Sequence, residues 1–124
     1  MDLAPQLEEA IQIDRHRVLQ VLVNLISNAR DAVTGRPNPR IEIVATRGGH
    51  RLAISVNDNG VGIAEAQVPR VFSAGFTSKP QGHGYGLHSS ALTARQLGGS
   101  LGMESEGEGR GARFTLTVPI QETA

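Results

Sequence analysis

The sequence is poor in the residues that build covalent or metal-bound frameworks. Its 124 residues include no cysteine and no tryptophan, which excludes a disulfide scaffold, a thiolate zinc site and a cysteine nucleophile. No apolar run approaches the roughly 20 residues that a membrane-spanning helix needs. No basic stretch followed by an apolar one marks a signal peptide near Met1. We therefore expect a single soluble domain over residues 1–124.

The sequence also lacks an excess of charge of either sign, whereas glycine is abundant. Twelve basic and twelve acidic residues give a formal net charge of zero, so the broad positive potential of a nucleic-acid-binding protein is missing and we expect no nucleic-acid partner. There are 15 glycines against three phenylalanines and one tyrosine. Glycines bunched in one region indicate backbone that comes close to a ligand.

Periodic apolar residues predict the helices. A three- and four-residue spacing predicts a long helix over residues 14–33, with Asp14 as its N-cap, ended by the turn-forming residues 35–39. A short helix is predicted over residues 65–71. A third is predicted over residues 87–97, where Gly98 and Gly99 form a stop signal.

Alternating apolar residues predict two hairpins. One joins strands around residues 41–45 and 52–56 through Gly48 and Gly49, and the other joins residues 101–103 to 114–120. Residues 10–13 could form a short edge strand. This order predicts an α/β two-layer sandwich, in which helices cover one face of a largely antiparallel sheet. Residues 73–86 show no sustained periodicity and five glycines or prolines, and we predict that they form a functional lid.

Three polar residues share one stripe of the long helix. Asn24, Asn28 and Asp31 follow each other at four- and three-residue intervals, so they project from one side. Such a stripe can be a solvated outer surface. It can also face a ligand, since an amide oxygen of Asn28 suits Mg²⁺, which takes few protein ligands and keeps water and phosphate for the rest.

Two glycine-bearing segments suggest a nucleotide site. Asp58 ends a predicted strand before Gly60 and Gly62, where a carboxylate can accept a hydrogen bond from an exocyclic amine, although a tight turn with an aspartate cap would use the same residues. Three alternating glycines at residues 82–86, beside Lys79, precede a helix and could present backbone N–H groups to phosphate. The alternative is that these glycines only make the lid flexible.

In this order the segments resemble the ATP-binding catalytic domain of sensor histidine kinases, in the superfamily that also holds the gyrase B subunit, MutL and the ninety-kilodalton heat-shock chaperones. Residues 14–32 resemble the N box of that family, and residues 58–63 its first glycine box. Residues 71–79 resemble the F box, residues 82–87 the second glycine box, and residues 109–114 the closing glycine turn and last strand. The resemblance spans nearly the whole chain.

The resemblance implies an ATP site with Mg²⁺ between the long helix and a glycine-rich lid. It implies that Asn28 coordinates the metal, that Asn24 contacts phosphate or metal-bound water, that Asp58 accepts from the adenine amino group, and that Lys79 holds the β- and γ-phosphates. Asn24, Asn28 and Lys79 are thus the expected catalytic residues. The nucleotide-contacting residues expected from the matching segments are Asn24, Asn28, Asp31, Asp58, Gly60, Gly62, Ile63, Phe72, Thr77, Lys79, Gly82, His83, Gly84, Tyr85, Gly86, Leu87 and Thr115. Phe72 is expected to anchor the lid rather than to stack on the base.

One position separates the members of this superfamily by activity. Members that hydrolyse ATP carry a glutamate four residues before the metal-binding asparagine, where this chain has Asn24. An amide cannot take a proton at neutral pH, so the resemblance implies transfer of the γ-phosphoryl group to a histidine. The alternatives are a nucleotide-gated interaction module without transfer and a standalone ATPase.

The accepting histidine of the family lies in a separate helical dimerisation domain. His16, in the predicted helix, and His50, in a hairpin turn, lack that context, and the spacing of His83 and His88 does not suit a zinc pair. We therefore expect a monomeric fragment. Its expected partners are ATP, the dimerisation domain of the same kinase and a downstream response regulator, and its expected location is the cytoplasmic part of a sensor kinase that could be membrane-bound.

Overall fold

The long helix, α1, is present where the apolar spacing predicts it. The computed structural model describes residues 11–12, 14–73 and 86–122, and in it α1 spans Arg15–Val33. The Asp14 carboxylate accepts a hydrogen bond from the Arg17 N–H at 3.2 Å, as an N-cap does. At the other end the Thr34 hydroxyl donates to the Arg30 carbonyl at 2.8 Å, and the chain leaves the helix in an extended conformation.

Four strands form one antiparallel sheet. In chain order they are β2 (Ile41–Gly48), β3 (Arg51–Asp58), β4 (Ser100–Glu104) and β5 (Ala112–Pro119). Their spatial order is β2-β3-β5-β4, and each neighbouring pair is antiparallel. Both predicted hairpins are therefore confirmed, and β3 and β5 form the centre of the sheet.

The remaining helices also agree with the predictions. A 3-10 helix spans Glu65–Arg70, and α2 spans Gly86–Gln96. Behind α2, Gly98 has a φ of +81°, the left-handed conformation that glycine adopts at low cost after a helix. Among the described residues, no helix, α1 included, is long and apolar enough to cross a membrane.

The strand predicted over residues 10–13 is present as β1, Ile11–Gln12. It does not extend the main sheet. It pairs antiparallel with β6, Gln121–Glu122, in a separate two-stranded sheet. The two ends of the described chain thus meet.

The core lies between α1 and the central strands. Alternate residues of β3 and β5 point toward the helices, as the pleat requires, and meet the apolar side of α1. The buried apolar residues are Val18, Val21, Leu22, Leu25, Ala29, Val33, Leu52, Ile54, Val56, Val71, Ala94, Phe114, Leu116, Val118 and Ile120. The predicted fold class, an α/β sandwich with helices on one face of an antiparallel sheet, is confirmed.

Candidate functional site

Asp58 occupies the last position of β3 and is half-buried. Its Oδ1 accepts a hydrogen bond from the Gly60 N–H at 2.8 Å. Burial raises the pKa of this carboxyl above its ordinary value, and the backbone N–H groups of Gly60 and Ala112, which favour the charged form, oppose that rise. A carboxylate has about four lone-pair positions, so two backbone donors leave room for a further donor from a ligand.

Gly60 and Gly62 are required by contacts within the protein. A Cβ at Gly60 would overlap the carbonyl group of Ala32, at the end of α1, and a Cβ at Gly62 would overlap the carbonyl oxygen of Gly107. Gly62 also has a φ of +69°, which side chains rarely tolerate. The turn with an aspartate cap is thus present. The turn does not conflict with the ligand-facing role predicted for Asp58, because the two would use different lone pairs.

The loop that follows Asp58 is fastened to the end of α1. The Val61 N–H donates to the Ala32 carbonyl at 2.9 Å. Asn28 stands one turn before Ala32 and is half-buried. A helix rises 1.5 Å per residue, so Asn28 lies about 6 Å and Asn24 about 12 Å along α1 from that contact. The predicted polar stripe therefore runs away from the Asp58 loop.

Asn24 joins the two α-helices. Its Nδ2 donates to the Ser90 hydroxyl of α2 at 3.1 Å, and Ser90 is only 1% exposed. Asn24 is half-buried like Asn28, whereas Asp31 is exposed. The stripe is therefore not a uniformly solvated surface, since its first residue faces a neighbouring helix.

Phe72 packs against β5 and lies beside α2. Its ring meets that of Phe114 edge-on, with centroids 6.2 Å apart, and its carbonyl lies 3.1 Å from Nδ1 of His88 in α2. Ile63 and Leu87 are partly buried against the same core, and the exposed Gly86 begins α2. These contacts tie the chain before residue 74 to α2.

Thr115 is not brought to this site. It lies between the buried Phe114 and Leu116 on β5, so its side chain points to the sheet face opposite α1, beside Ser55 and Gly102. The prediction that Thr115 contacts the same ligand as Asp58 is therefore wrong. The β5 residue in register with Asp58 is Ala112, and the backbone of Ala112 is what reaches the carboxylate.

The lid lies outside the described residues. Thr77, Lys79, Gly82, His83, Gly84 and Tyr85, all predicted nucleotide contacts, belong to residues 74–85. Within the ranges that the structure does describe, no cluster of three or more histidine, cysteine, aspartate or glutamate residues could hold a metal ion. An amide oxygen such as that of Asn28 is a ligand of the kind that Mg²⁺ takes.

Asn59 holds the Asp58 loop, a role that no pattern in the sequence predicts. Its Oδ1 accepts from the Arg40 N–H at 2.7 Å, and its Nδ2 donates to the Asn38 carbonyl at 2.7 Å. On the other side, Nη2 of Arg36 donates to the Gly109 carbonyl at 3.0 Å. The Asp-Asn-Gly sequence signals a turn, but partners this distant in the chain could not be read from it.

A cleft of about 450 Å³ opens at the end of the sheet where Asp58 lies. Asn57, Glu104 and Arg113, which line it, lie on the same sheet face as Thr115, opposite α1, and Asn24 and Asn28 do not line it. The cleft therefore does not coincide with the space between α1 and the Asp58 loop where the resemblance implies a nucleotide. Its lining residues are Asn57, Asp58, Glu104, Ser105, Glu106, Arg110, Gly111, Ala112 and Arg113.

The chain is similar in sequence to ATPase domains of one family. Residues 13–122 match the family described as Histidine kinase-, DNA gyrase B-, and HSP90-like ATPase. The chain is 41% identical over 113 residues to the sensor histidine kinase ZraS of Escherichia coli O157:H7, an alignment that covers 91% of this chain and 24% of that protein. It thus spans about a quarter of the length of that relative.

Solved structures of histidine kinases share the fold. The catalytic domain of the histidine kinase ThkA, in a nucleotide-free form, has a TM-score of 0.74 at 34% identity and covers 86% of this chain and 68% of its own. Full-length ShkA in complex with AMPPNP has a TM-score of 0.73 at 29% identity, covering 90% of this chain and 23% of its own.

Proposed function

The chain belongs to the family of histidine kinase-, DNA gyrase B- and HSP90-like ATPases, and we propose that it binds ATP with Mg²⁺ and donates the γ-phosphoryl group to a histidine on a separate dimerisation domain. The predicted family is confirmed by the match over residues 13–122. The kinase activity is supported by the relatives, which include sensor histidine kinases. ATP as the ligand is supported by the family and by the AMPPNP in the ShkA structure.

The adenine end of the proposed site is Asp58. Adenine offers an exocyclic amino group as a donor, and the half-buried carboxylate, already oriented by the Gly60 and Ala112 N–H groups, offers a fixed acceptor. A carboxylate that is already held in place favours binding, because the entropy cost of ordering its side chain is met on folding and not when the ligand binds.

The phosphate end of the proposed site lies along α1. A nucleotide that places its base at the Asp58 loop, near Ala32, would extend its phosphates about 6 to 12 Å along the helix, past Asn28 and Asn24. Asn28 would supply an amide oxygen to Mg²⁺, which neutralises charge on the phosphates when bound. We further propose that the β- and γ-phosphates accept hydrogen bonds from Lys79 and from the backbone N–H groups of Gly82, Gly84 and Gly86.

The presence of Asn24 is the main reason to propose phosphoryl transfer to histidine and not hydrolysis of ATP by water. Attack by water needs a base that removes a proton, and an amide cannot take one at neutral pH. Moreover, Nδ2 of Asn24 is committed to the Ser90 hydroxyl at 3.1 Å. A neutral imidazole attacks the γ-phosphorus with its own lone pair, while the bond to the bridging oxygen breaks and ADP leaves. The protein then contributes positioning and charge neutralisation.

Phosphoryl transfer requires two further protein components. The dimerisation domain of the same kinase would supply the histidine, and a response regulator would receive the phosphoryl group from it. We propose that both steps occur in the cytoplasm, where ATP is available, and that this chain alone is monomeric.

Two measurements test the proposal in sequence. Calorimetric titration of the chain with ATP, with and without Mg²⁺, should show binding that strengthens with the metal. Radiolabelled ATP should then label the histidine of an added dimerisation domain from the parent kinase or a relative of the ZraS type, and an Asn28→Ala variant should label it much more slowly. The label should be lost in acid and kept in base, as a phosphorus–nitrogen bond requires.

Each other outcome favours a different function. Nucleotide binding without transfer to the histidine of its own kinase would contradict the kinase proposal and leave an interaction module. Steady release of phosphate by the isolated chain would instead indicate a standalone ATPase. A folded chain that does not bind ATP would refute the nucleotide site itself.

A further inference from the structure

Ser105, in the loop after β4, connects two segments that adjoin Asp58. Its hydroxyl donates to the Gly111 carbonyl at 2.7 Å, and the Gly107 carbonyl is a more distant acceptor at 3.4 Å. The same oxygen accepts from the Ile63 N–H at 3.1 Å and from the Gly107 N–H at 3.3 Å. One donated and two accepted hydrogen bonds use the full capacity of a serine hydroxyl. The half-buried Ser105 side chain is therefore held in one orientation by the loops on both sides.

The Gly111 carbonyl that Ser105 binds shares a peptide group with the Ala112 N–H. In a trans peptide the C=O and the following N–H point in opposite directions. The hydroxyl therefore fixes one end of this group, while the other end, the Ala112 N–H, belongs to the residue in register with Asp58 and favours the charged form of its carboxyl. Gly111 itself is clamped from its other side, because its N–H donates to the Gly60 carbonyl at 3.1 Å.

We propose that Ser105 is a positioning residue of the nucleotide site: its hydroxyl orients the peptide group between Gly111 and Ala112, and that group holds the Asp58 carboxylate where it meets the adenine amino group. The adenine contact rests on the proposed function. The connection from Ser105 to Asp58 does not, since it exists within the protein. An alanine at position 105 removes the hydrogen bond to the Gly111 carbonyl, so the peptide group is held less firmly and Asp58 has a weakened partner.

The test compares Ser105→Ala with Ser105→Thr, which keeps a hydroxyl, and with Ser100→Ala, an exposed serine on β4. The first readout is the titration of the Asp58 carboxyl carbon by NMR in the ligand-free 124-residue chain. The loss of a hydrogen bond to the charged form should raise its pKa further in Ser105→Ala. The second readout is affinity for ATP and GTP, where Ser105→Ala should bind ATP about tenfold more weakly with a smaller change for GTP.

Ser105→Thr and Ser100→Ala should match the parent in both readouts. An unchanged Asp58 titration in a folded Ser105→Ala would overturn the inference, as would a Ser105→Thr variant that behaves like Ser105→Ala, because packing rather than the hydroxyl would then matter. If Ser105→Ala does not fold, NMR of the parent chain tests the contact between Ala112 and Asp58 instead. The Ala112 amide shift should follow the Asp58 titration, and a shift independent of pH would refute the connection.

The two proposals fail separately. A parent chain that binds neither nucleotide would contradict the proposed function, whereas the NMR titration would still report on Ser105 and Asp58. Normal ATP binding with no effect of Ser105→Ala on either readout would refute the role of Ser105 alone.

Discussion

Asp58→Asn should change which nucleotide the chain prefers. Asparagine has the same shape and can still accept from the Gly60 N–H, which now lies 2.8 Å from Oδ1. It replaces the second oxygen with an NH₂ group, however, and that group meets other donors: the Ala112 N–H and, in the complex, the adenine amino group. The variant thus keeps the turn and loses the acceptor.

The expected loss of ATP affinity in Asp58→Asn equals the free energy of the hydrogen bond that forms only in the complex. The conflict with the Ala112 N–H exists with and without nucleotide, so it largely cancels from the binding free energy. What remains is the lost hydrogen bond between the adenine amino group and a charged acceptor, about 1.5–3 kcal/mol, which corresponds to roughly 10- to 150-fold weaker ATP binding. GTP has a carbonyl oxygen where ATP has the amino group. The carboxylate repels that oxygen, whereas the new NH₂ group can donate to it.

Calorimetric titration of both nucleotides against the parent and Asp58→Asn measures this preference. Asp14→Asn is a matched control, because it makes the same chemical change at the exposed N-cap, where asparagine is an equally good cap. We expect the ratio of ATP to GTP affinity to collapse in Asp58→Asn only. A parent chain that binds ATP and GTP equally, or an Asp58→Asn variant that keeps the parent ratio, would refute the assignment of Asp58 to the base.

Three further predictions concern the metal, the packing of the loop and the pH dependence of stability. Asn28→Ala should remove most of the gain in ATP affinity that Mg²⁺ gives, and a gain equal to that of the parent would exclude Asn28 from the metal site. Gly60→Ala should lower the free energy of unfolding in urea by about 1–3 kcal/mol, because the new Cβ overlaps the Ala32 carbonyl. Gly102→Ala, with open space around it, should stay within about 0.5 kcal/mol of the parent, and equal losses in the two variants would contradict the packing argument. Because the folded-state pKa of Asp58 is raised above its ordinary value of 3.8, the folded state holds the proton more tightly. The stability that Asp58 contributes is therefore fully present below 3.8 and is lost as the pH rises through the raised value. The difference in unfolding free energy between the parent and Asp58→Asn should fall over that window, and a difference that rises with pH would reverse the sign of the argument.

Local patterns in the sequence were sufficient to predict the elements of the fold. The boundaries of α1 follow from an apolar period of 3.6 and an aspartate cap, and those of the hairpins from alternation and paired glycines. Burial within the sheet was less predictable. Ile43 alternates as an inward-facing residue should, yet it is 39% exposed, since β2 is an edge strand that α1 barely covers. Coverage is a tertiary property that alternation does not encode.

The site was predictable where one residue acts with its chain neighbours and less so where partners are distant. Asp58 and Gly60 lie two residues apart, so the turn they form could be anticipated. Ser105 is 42 residues from Ile63, and Asn24 is 66 residues from Ser90, so neither pairing has a local signal. The predicted ligand contact of Thr115 is wrong because neighbouring residues of a strand point to opposite faces. A shift of one residue along β5 therefore moves a side chain to the other side of the sheet.

The glycines around Asp58 show why a structural and a ligand-binding explanation need not compete. Gly60 is required by the end of α1 and Gly62 by the Gly107 carbonyl, so both would be needed in a chain that bound nothing. The same close packing brings the Gly60 N–H to the Asp58 carboxylate and fastens the loop one helical turn from Asn28. The packing therefore sets the spacing between the proposed base and phosphate contacts. Gly60→Ala should loosen this packing and so weaken ATP binding, even though Gly60 contributes no side chain. A Gly60→Ala variant that lost stability but bound ATP like the parent would show that the packing does not set the nucleotide contacts.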